Sequence, residues 1–135
     1  MDEIILHKVE SIERCLIRID ETFLAHPDEL ETNHDVQDII SLNLQRACQT
    51  AIDIAIYLSR KKKLGLPKES KEAFNLLAHA NIISHELSEN LQKMVGFRNI
   101  LVHEYSDVDY AIVKNILENK LDNFRDFARI MIKVA

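Results

Sequence analysis

The apolar residues of this chain recur at alternating spacings of three and four, and this period restricts the possible fold more than any other feature. An α-helix has about 3.6 residues per turn, so apolar residues at this spacing form one stripe along its side. Gly and Pro number only two each, whereas a β-rich fold needs a turn about every ten residues. The sequence therefore predicts an all-α fold. The two longest stripes are Ile5, Val9, Ile12, Leu16, Ile19 and Phe23, then Val36, Ile40, Leu44, Ala47, Ala51, Ile54 and Leu58.

Caps and helix breakers divide the chain into four or five helices. Pro27 ends the first helix, because proline cannot continue a helix interior. The second begins near Thr32-Asn33-His34-Asp35, which resembles a capping box, and ends in a basic run before Gly65-Leu66-Pro67. The short connections predict an up-and-down antiparallel bundle. The remaining predicted helices run from Glu69 to about Ala80, onward from Ser84, and from the capping box Ser106-Asp107-Val108-Asp109 to the chain end.

The length of 135 residues suits one domain, which we expect to span residues 1–135. The sequence has no internal repeat and no low-complexity segment. The first two predicted helices each exceed five turns. Their stripes extend past what one core of this size is expected to cover, so the sequence favours a homodimer.

The charge balance limits the ways in which the chain can bind nucleic acid. Its net charge is −5, so a nucleic-acid role requires a local basic patch or a catalytic pocket. Six of the 17 basic residues lie between Arg60 and Lys71. They form either a solvated helix end that suits the helix dipole or a binding patch, and the sequence leaves both interpretations open.

The cysteines and the N-terminus indicate a soluble cytoplasmic protein. Cys15 and Cys48 have no metal-binding spacing and are typical of small buried residues in a reducing compartment. The N-terminus lacks the basic and apolar regions of a signal peptide. No segment approaches the roughly 20 apolar residues of a membrane span, so we expect no membrane association.

Arg98 is the anomaly of the fourth predicted helix. Relative to Met94, it lies at about 40° on a helical wheel, inside an apolar stripe. Burying an unpaired guanidinium costs several kcal/mol. The stripe is therefore expected to face a cleft or a second subunit, unless Arg98 extends to solvent or pairs with an acidic residue. The other members of the stripe are Leu87, Leu91, Leu101 and Val102.

His103 follows Arg98 by five residues, which places it about 140° further round an ideal helix. The two side chains then diverge, so a shared site requires the helix to end near Glu104, or two subunits to pool their residues. Asn99 lies four residues before His103 and is expected to hydrogen-bond and orient the imidazole. Gly96 permits a bend or a close backbone approach. A plain helix-end histidine that interacts with the dipole remains the simpler alternative.

An arginine and a histidine suffice for RNA cleavage without a metal. The ribose 2′-hydroxyl is an internal nucleophile beside the scissile phosphate. A histidine can move a proton to or from an oxygen, and a guanidinium can bind the phosphate oxygens and stabilise the transition state. No spacing typical of metal ligands occurs in the sequence; His79 and His85 stand too far apart to chelate from one helix face. We therefore expect no metal and no other cofactor.

The segment Arg98-Asn99-Ile100-Leu101-Val102-His103-Glu104-Tyr105 resembles the Arg-polar-x-x-x-His motif of the HEPN superfamily, in the Arg-x4-His-x-Tyr form of HepT-like toxins. The resemblance covers nearly the whole chain. It includes the Leu-Pro turn, the helix with Ala73-Phe74, and Met94-Val95-Gly96-Phe97 before the motif. It implies a HEPN-like bundle that acts as a homodimeric, metal-independent endoribonuclease with the two motifs in a cleft at the subunit interface. In that family Arg98 would bind the scissile phosphate, His103 would be the general acid or base, and Asn99 would support them.

The resemblance also implies a partner. HepT-like toxins are paired with a cognate minimal nucleotidyltransferase antitoxin, and Tyr105 would be the hydroxyl that accepts adenylate. A phosphate added there would repel RNA and occupy Arg98. Alternatively, Tyr105 is an aromatic residue that packs at a helix end, and the sequence favours neither role over the other.

Two other classes of function remain open on the sequence alone. One is a catalytically silent subunit that presents RNA or another substrate to a partner nucleotidyltransferase, with Arg98 and His103 as ligands only. The other is a dimeric helical interaction module in which Arg98 is structural.

Overall fold

The computed structural model describes residues 1–103 and 108–135, and every regular element in these two ranges is a helix. The predicted all-α fold is confirmed. The described helices are α1 (Glu3–Ala25), α2 (His34–Lys61), α3 (Ser70–His79), α4 (His85–His103), α5 (Tyr110–Asn119) and α6 (Asp122–Val134).

Short polar side chains begin the two long helices. The Asp2 carboxylate accepts from the backbone N–H groups of Ile4 (3.0 Å) and Ile5 (3.2 Å), and so caps α1. Asn33 caps α2 by accepting from the N–H groups of Asp35 (3.0 Å) and Val36 (3.3 Å). The cap is therefore Asn33 rather than the predicted Thr32, because an asparagine oxygen placed here reaches the same free N–H groups.

The ends of the middle helices follow the predicted breakers. The left-handed backbone of Lys63 (φ 56°) and Gly65 (φ 139°) leads the chain away from α2. The Ser84 hydroxyl accepts from the N–H of Leu87 (3.0 Å) at the start of α4. The predicted positions of α1, α3 and α4 are confirmed to within about two residues.

The core lies between the α1–α2 pair and the later helices. α3 and α4 pack against α2, and α6 packs against α1 and also reaches α4. Phe74 of α3 meets Phe127 of α6 edge to face, with ring centroids 5.8 Å apart. Apart from the half-buried Phe23, the stripes of α1 and α2 are buried within this one chain. The expectation that these stripes extend past what one core can cover was wrong, because the later helices of the same chain cover them.

The last predicted helix is in fact two helices. α5 ends at Asn119 and α6 begins at Asp122, with Lys120 and Leu121 between them. Leu121 is buried at this corner (2% exposed) and anchors it in the core. Within the described ranges, no helix is long and apolar enough to cross a membrane.

Candidate active site

α4 carries the Arg98–His103 segment, and its apolar face points into the core of its own chain. Leu87, Leu91, Met94 and Leu101 are all buried. The expectation that this stripe faces a cleft or a second subunit was therefore wrong for these residues. Val102 is 41% exposed, and Arg98 is half-buried at the edge where α4 meets α2.

Two neutral amides hold the Arg98 guanidinium. Its Nη2 donates to Oε1 of Gln49 (2.8 Å), and its Nη1 donates to Oδ1 of Asn99 (3.1 Å). Nε is buried and has no hydrogen-bond partner among the described residues. Neither expected alternative applies: Arg98 does not extend freely to solvent, and it pairs with no carboxylate in the described ranges. Its positive charge is thus held in place, and no carboxylate of the described ranges neutralises it by a direct ion pair.

A second hydrogen bond orients the amide of Gln49. Gln49 Nε2 donates to Oδ1 of Asp53 (2.9 Å), one turn further along α2. Asp53, Gln49 and Arg98 therefore form a chain of side chains that crosses from α2 to α4. Sequence reasoning missed both α2 residues, because the only local signal is a Gln four residues before an Asp on a helix, a common pattern on exposed helices.

His103 is the last residue of α4 and is exposed. Arg98 and His103 both lie within the described part of α4. They keep a divergence of about 140° around the helix axis. Asn99 bonds to Arg98 and makes no hydrogen bond to His103 among the described residues. The predicted Asn99–His103 contact was therefore wrong, because the guanidinium is a stronger donor within reach.

Cys48 adjoins this arrangement from the interior. Its thiol is buried and donates to the Met94 carbonyl on α4 (3.7 Å). Burial raises the pKa of Cys48 to about 12, and the nearby Arg98 charge opposes the rise. Cys48 is thus a neutral packing residue that joins α2 to α4 beside Gln49.

A polar cavity of about 410 Å³ lies between the start of α3 and α4. Asn99 and Lys71 both line it. The ammonium nitrogen of Lys71 lies 3.6 Å from where a Cβ on Gly96 would stand. The basic run therefore ends against the helix that carries Arg98.

Three observations complete the account of the predicted site residues. Tyr105 and Glu104 lie outside the described ranges. Within those ranges, no group of three or more His, Cys, Asp or Glu side chains is placed to hold a metal ion. His79 and His85 belong to different helices, and their rings meet edge to face with centroids 5.9 Å apart.

Comparison with known proteins gives concordant results. The model of a family described as Ribonuclease HepT-like matches residues 10–131. A Shewanella oneidensis protein named mRNA nuclease HepT is 39% identical over 131 residues, which are 97% of this chain and 98% of the relative. An Aphanizomenon flos-aquae protein named tRNA nuclease HepT is 34% identical over 106 residues, which are 78% of this chain and 72% of the relative.

Similar solved structures contain a toxin with its antitoxin. One holds the tri-AMPylated HEPN toxin of Shewanella oneidensis in complex with the MNT antitoxin. It matches this chain with a TM-score of 0.93 at 39% identity, over 100% of both chains. Another, a toxin–antitoxin with AMP-PNP, matches with a TM-score of 0.92 at 38% identity, over 97% of this chain and 99% of that one.

Proposed function

Because this chain belongs to the HepT-like ribonuclease family, we propose that Arg98 and His103 form the active site of an endoribonuclease toxin in a toxin–antitoxin pair. The observation that carries the proposal is the environment of Arg98. A half-buried guanidinium is held by two amide oxygens and keeps its charge for a ligand. A phosphate of RNA presents two oxygens that match the planar fork of an arginine.

The chemistry needs no metal. The ribose 2′-oxygen attacks the adjacent phosphorus, and the bond to the 5′-oxygen of the next nucleotide breaks, which leaves a cyclic phosphate and a free 5′-hydroxyl. His103 transfers the proton taken from the nucleophile or given to the leaving oxygen. Arg98 stabilises the charge that develops on the phosphate oxygens, and Asn99 supports the guanidinium.

We place the complete site between two copies of the chain. Within one chain the side chains of Arg98 and His103 diverge, so one phosphate is better reached by Arg98 of one copy and His103 of the other. The outward face of α4 suits such a contact. It carries Val102, which is 41% exposed, together with Asn99 and His103, and the half-buried Arg98 lies at its edge.

The partner of the toxin is a cognate minimal nucleotidyltransferase antitoxin, which inactivates it by adenylylation of Tyr105. Support comes from the similar toxin that is tri-AMPylated and bound to its MNT antitoxin. Tyr105 stands two residues after His103, so an attached adenylate would bring negative charge to the place where RNA must bind. The pair is expected to act in the cytoplasm, where RNA and nucleotide are available, with residues 1–135 as one domain.

Substitution of the two central residues tests the ribonuclease site. Arg98→Ala and His103→Ala are each expected to reduce RNA cleavage by about 100-fold or more. Cleavage by the unsubstituted protein should persist in EDTA and leave cyclic-phosphate ends. His79→Ala is the matched control, since His79 is also an exposed histidine at the end of a helix. Full activity of either substituted protein, or loss of activity in the control, would contradict the site.

Intact-mass measurement tests Tyr105. After co-expression with the cognate nucleotidyltransferase, the protein should gain the mass of one or more adenylates, and Tyr105→Phe should gain none. Tyr110→Phe is the control, because the Tyr110 hydroxyl instead contacts the Ser41 hydroxyl (3.5 Å). Unchanged modification of Tyr105→Phe would show that another residue is the first acceptor.

A further inference from the structure

Arg98, Gln49 and Asp53 form a hydrogen-bonded relay from α4 to α2. The role of each side chain follows from whether it can donate or accept a hydrogen bond. A guanidinium only donates hydrogen bonds, and a carboxylate only accepts them. A side chain that bonds to both must accept on one side and donate on the other. Gln49 does this, with Oε1 toward Arg98 and Nε2 toward Asp53.

We propose that Gln49 is a positioning residue of the nuclease: oriented by Asp53, it fixes the Arg98 guanidinium through a neutral acceptor and so keeps the positive charge available for RNA phosphate. This inference rests on the proposed role of Arg98. Neither α2 residue lies in the Arg98–Tyr105 motif, and the part assigned to each follows from the contacts between α2 and α4.

Gln49 can hold Arg98 in this way because its side chain is uncharged. A carboxylate at this position would bond to Arg98 more strongly than an amide, but it would neutralise the charge that the phosphate needs. It would also face Asp53 as a like charge. A leucine of similar length would leave both neighbours without their partner. Glutamine alone among these three residue types holds the arginine without competing with the ligand.

The relay lies behind Arg98, where α2 packs against α4. Gln49 and Asp53 are half-buried on α2, and the adjacent Cys48 is packed against the backbone of α4. The two helices are therefore joined at the level of Arg98. A rigid support of this kind limits the rotamers that the long arginine side chain can adopt.

The experiment compares Gln49→Glu, Gln49→Leu and the double variant Gln49→Glu/Asp53→Asn. In the double variant an asparagine amide can donate to the new carboxylate, so the geometry and the net charge of the relay are restored while the negative charge moves from residue 53 to residue 49, beside Arg98. Gln45→Glu is the control, since Gln45 lies one turn earlier on α2 and is also half-buried. This substitution adds the same negative charge as Gln49→Glu. Melting temperatures establish that each variant is folded.

Cleavage kinetics give the first result. All three Gln49 variants are expected to lose about 10- to 100-fold in kcat/KM, while Gln45→Glu keeps its activity. In the two variants that carry Gln49→Glu the loss should include a higher KM for RNA, because the phosphate must compete with a carboxylate for Arg98.

Salt dependence gives the second result, measured with a short fluorescent oligoribonucleotide of mixed sequence in a His103→Ala background that does not cleave it. The double variant should flatten the dependence of log affinity on log salt by about 0.7, the contribution of one phosphate contact to a single strand. Wild-type kinetics and salt dependence in the folded double variant would overturn the proposal, as would a loss confined to melting temperature. A fully active Arg98→Ala variant would show that the proposed function itself has failed. That result differs from a wild-type double variant, which would overturn only the role of Gln49.

Discussion

At the scale of single residues, the neighbours of Arg98 decide what it can do. Within the described ranges it donates to two amide oxygens, so these contacts order a flexible side chain without neutralising its charge. The chain as a whole carries a net charge of −5, which would weaken general attraction to RNA. Affinity must then come from local cations, and hydrogen bonds to Gln49 and Asn99 already position Arg98.

Cys48 provides a residue-scale prediction that is independent of activity. Because its thiol is buried and its pKa is raised to about 12, almost no thiolate exists near neutral pH. Burial also raises the pKa of Cys15. We expect neither cysteine to react with iodoacetamide at pH 8 in the folded protein, and both to react in guanidinium, as measured by mass spectrometry. Prompt labelling of Cys48 in the folded protein would contradict the close packing of α2 on α4.

The sequence predicted part of this residue-scale arrangement. A helical wheel identifies Arg98 as an anomaly, because that argument needs only the spacing within one helix. It could not identify Gln49, since the contact joins two helices and depends on how α2 is rotated against α4. The predicted Asn99–His103 contact was wrong for a related reason: helical spacing allows the contact but does not require it, and Asn99 accepts from Arg98 instead. The role of Tyr105 stays a prediction.

At the scale of elements, Asp2 joins the start of α1 to the end of α2. Its carboxylate caps α1 and also accepts from the Tyr57 hydroxyl (2.8 Å) and the Lys61 ammonium. The Lys61 hydrogen bond is the main reason that the pKa of Asp2 falls from 3.8 to about 2, with help from Tyr57 and the Ile5 N–H. One carboxylate thus joins the N-terminus of α1 to the C-terminal turn of α2.

This depressed pKa predicts a defined pH dependence. A carboxylate with a lower pKa in the folded state stabilises the protein fully above its unfolded value, and the contribution is lost as pH falls through the folded value. Thermal melts of the unsubstituted protein should therefore show stability decreasing from pH 4 towards pH 2, partly through Asp2. Asp2→Asn should melt lower at pH 7 and show a weaker decrease below pH 4. Asp28→Asn, at an exposed position, is the control. An unchanged pH profile in Asp2→Asn would contradict the assignment.

The elements were the most predictable level of the structure. Strong 3–4 periodicity and recognisable caps gave the positions of α1 to α4, because both signals are local. The break between α5 and α6 was missed, because Leu117, Leu121, Phe124 and Ala128 continue the apolar period across it without a change of phase. When a turn between two helices preserves the 3–4 spacing of the apolar residues, the spacing alone cannot reveal it.

For the whole molecule, the feature that supports a homodimer is α4 rather than the stripes of α1 and α2. The stripes of α1 and α2 gave no valid support, since the chain's own later helices cover them. The proposal now rests on α4, where Arg98 faces α2 and the exposed His103 faces outward. Two such helices side by side would place each arginine near the histidine of the other copy.

Mixing of two inactive proteins tests whether Arg98 of one copy and His103 of the other form one active site. Arg98→Ala and His103→Ala chains, co-expressed with different affinity tags and purified as mixed pairs, are assayed for RNA cleavage beside each pure parent. If the site combines Arg98 of one copy with His103 of the other, the mixed pair contains one intact site, and cleavage should return to about half the activity of the unsubstituted dimer. A mixed pair as inactive as its parents would contradict the shared site, because it would mean that each chain needs its own Arg98 and His103.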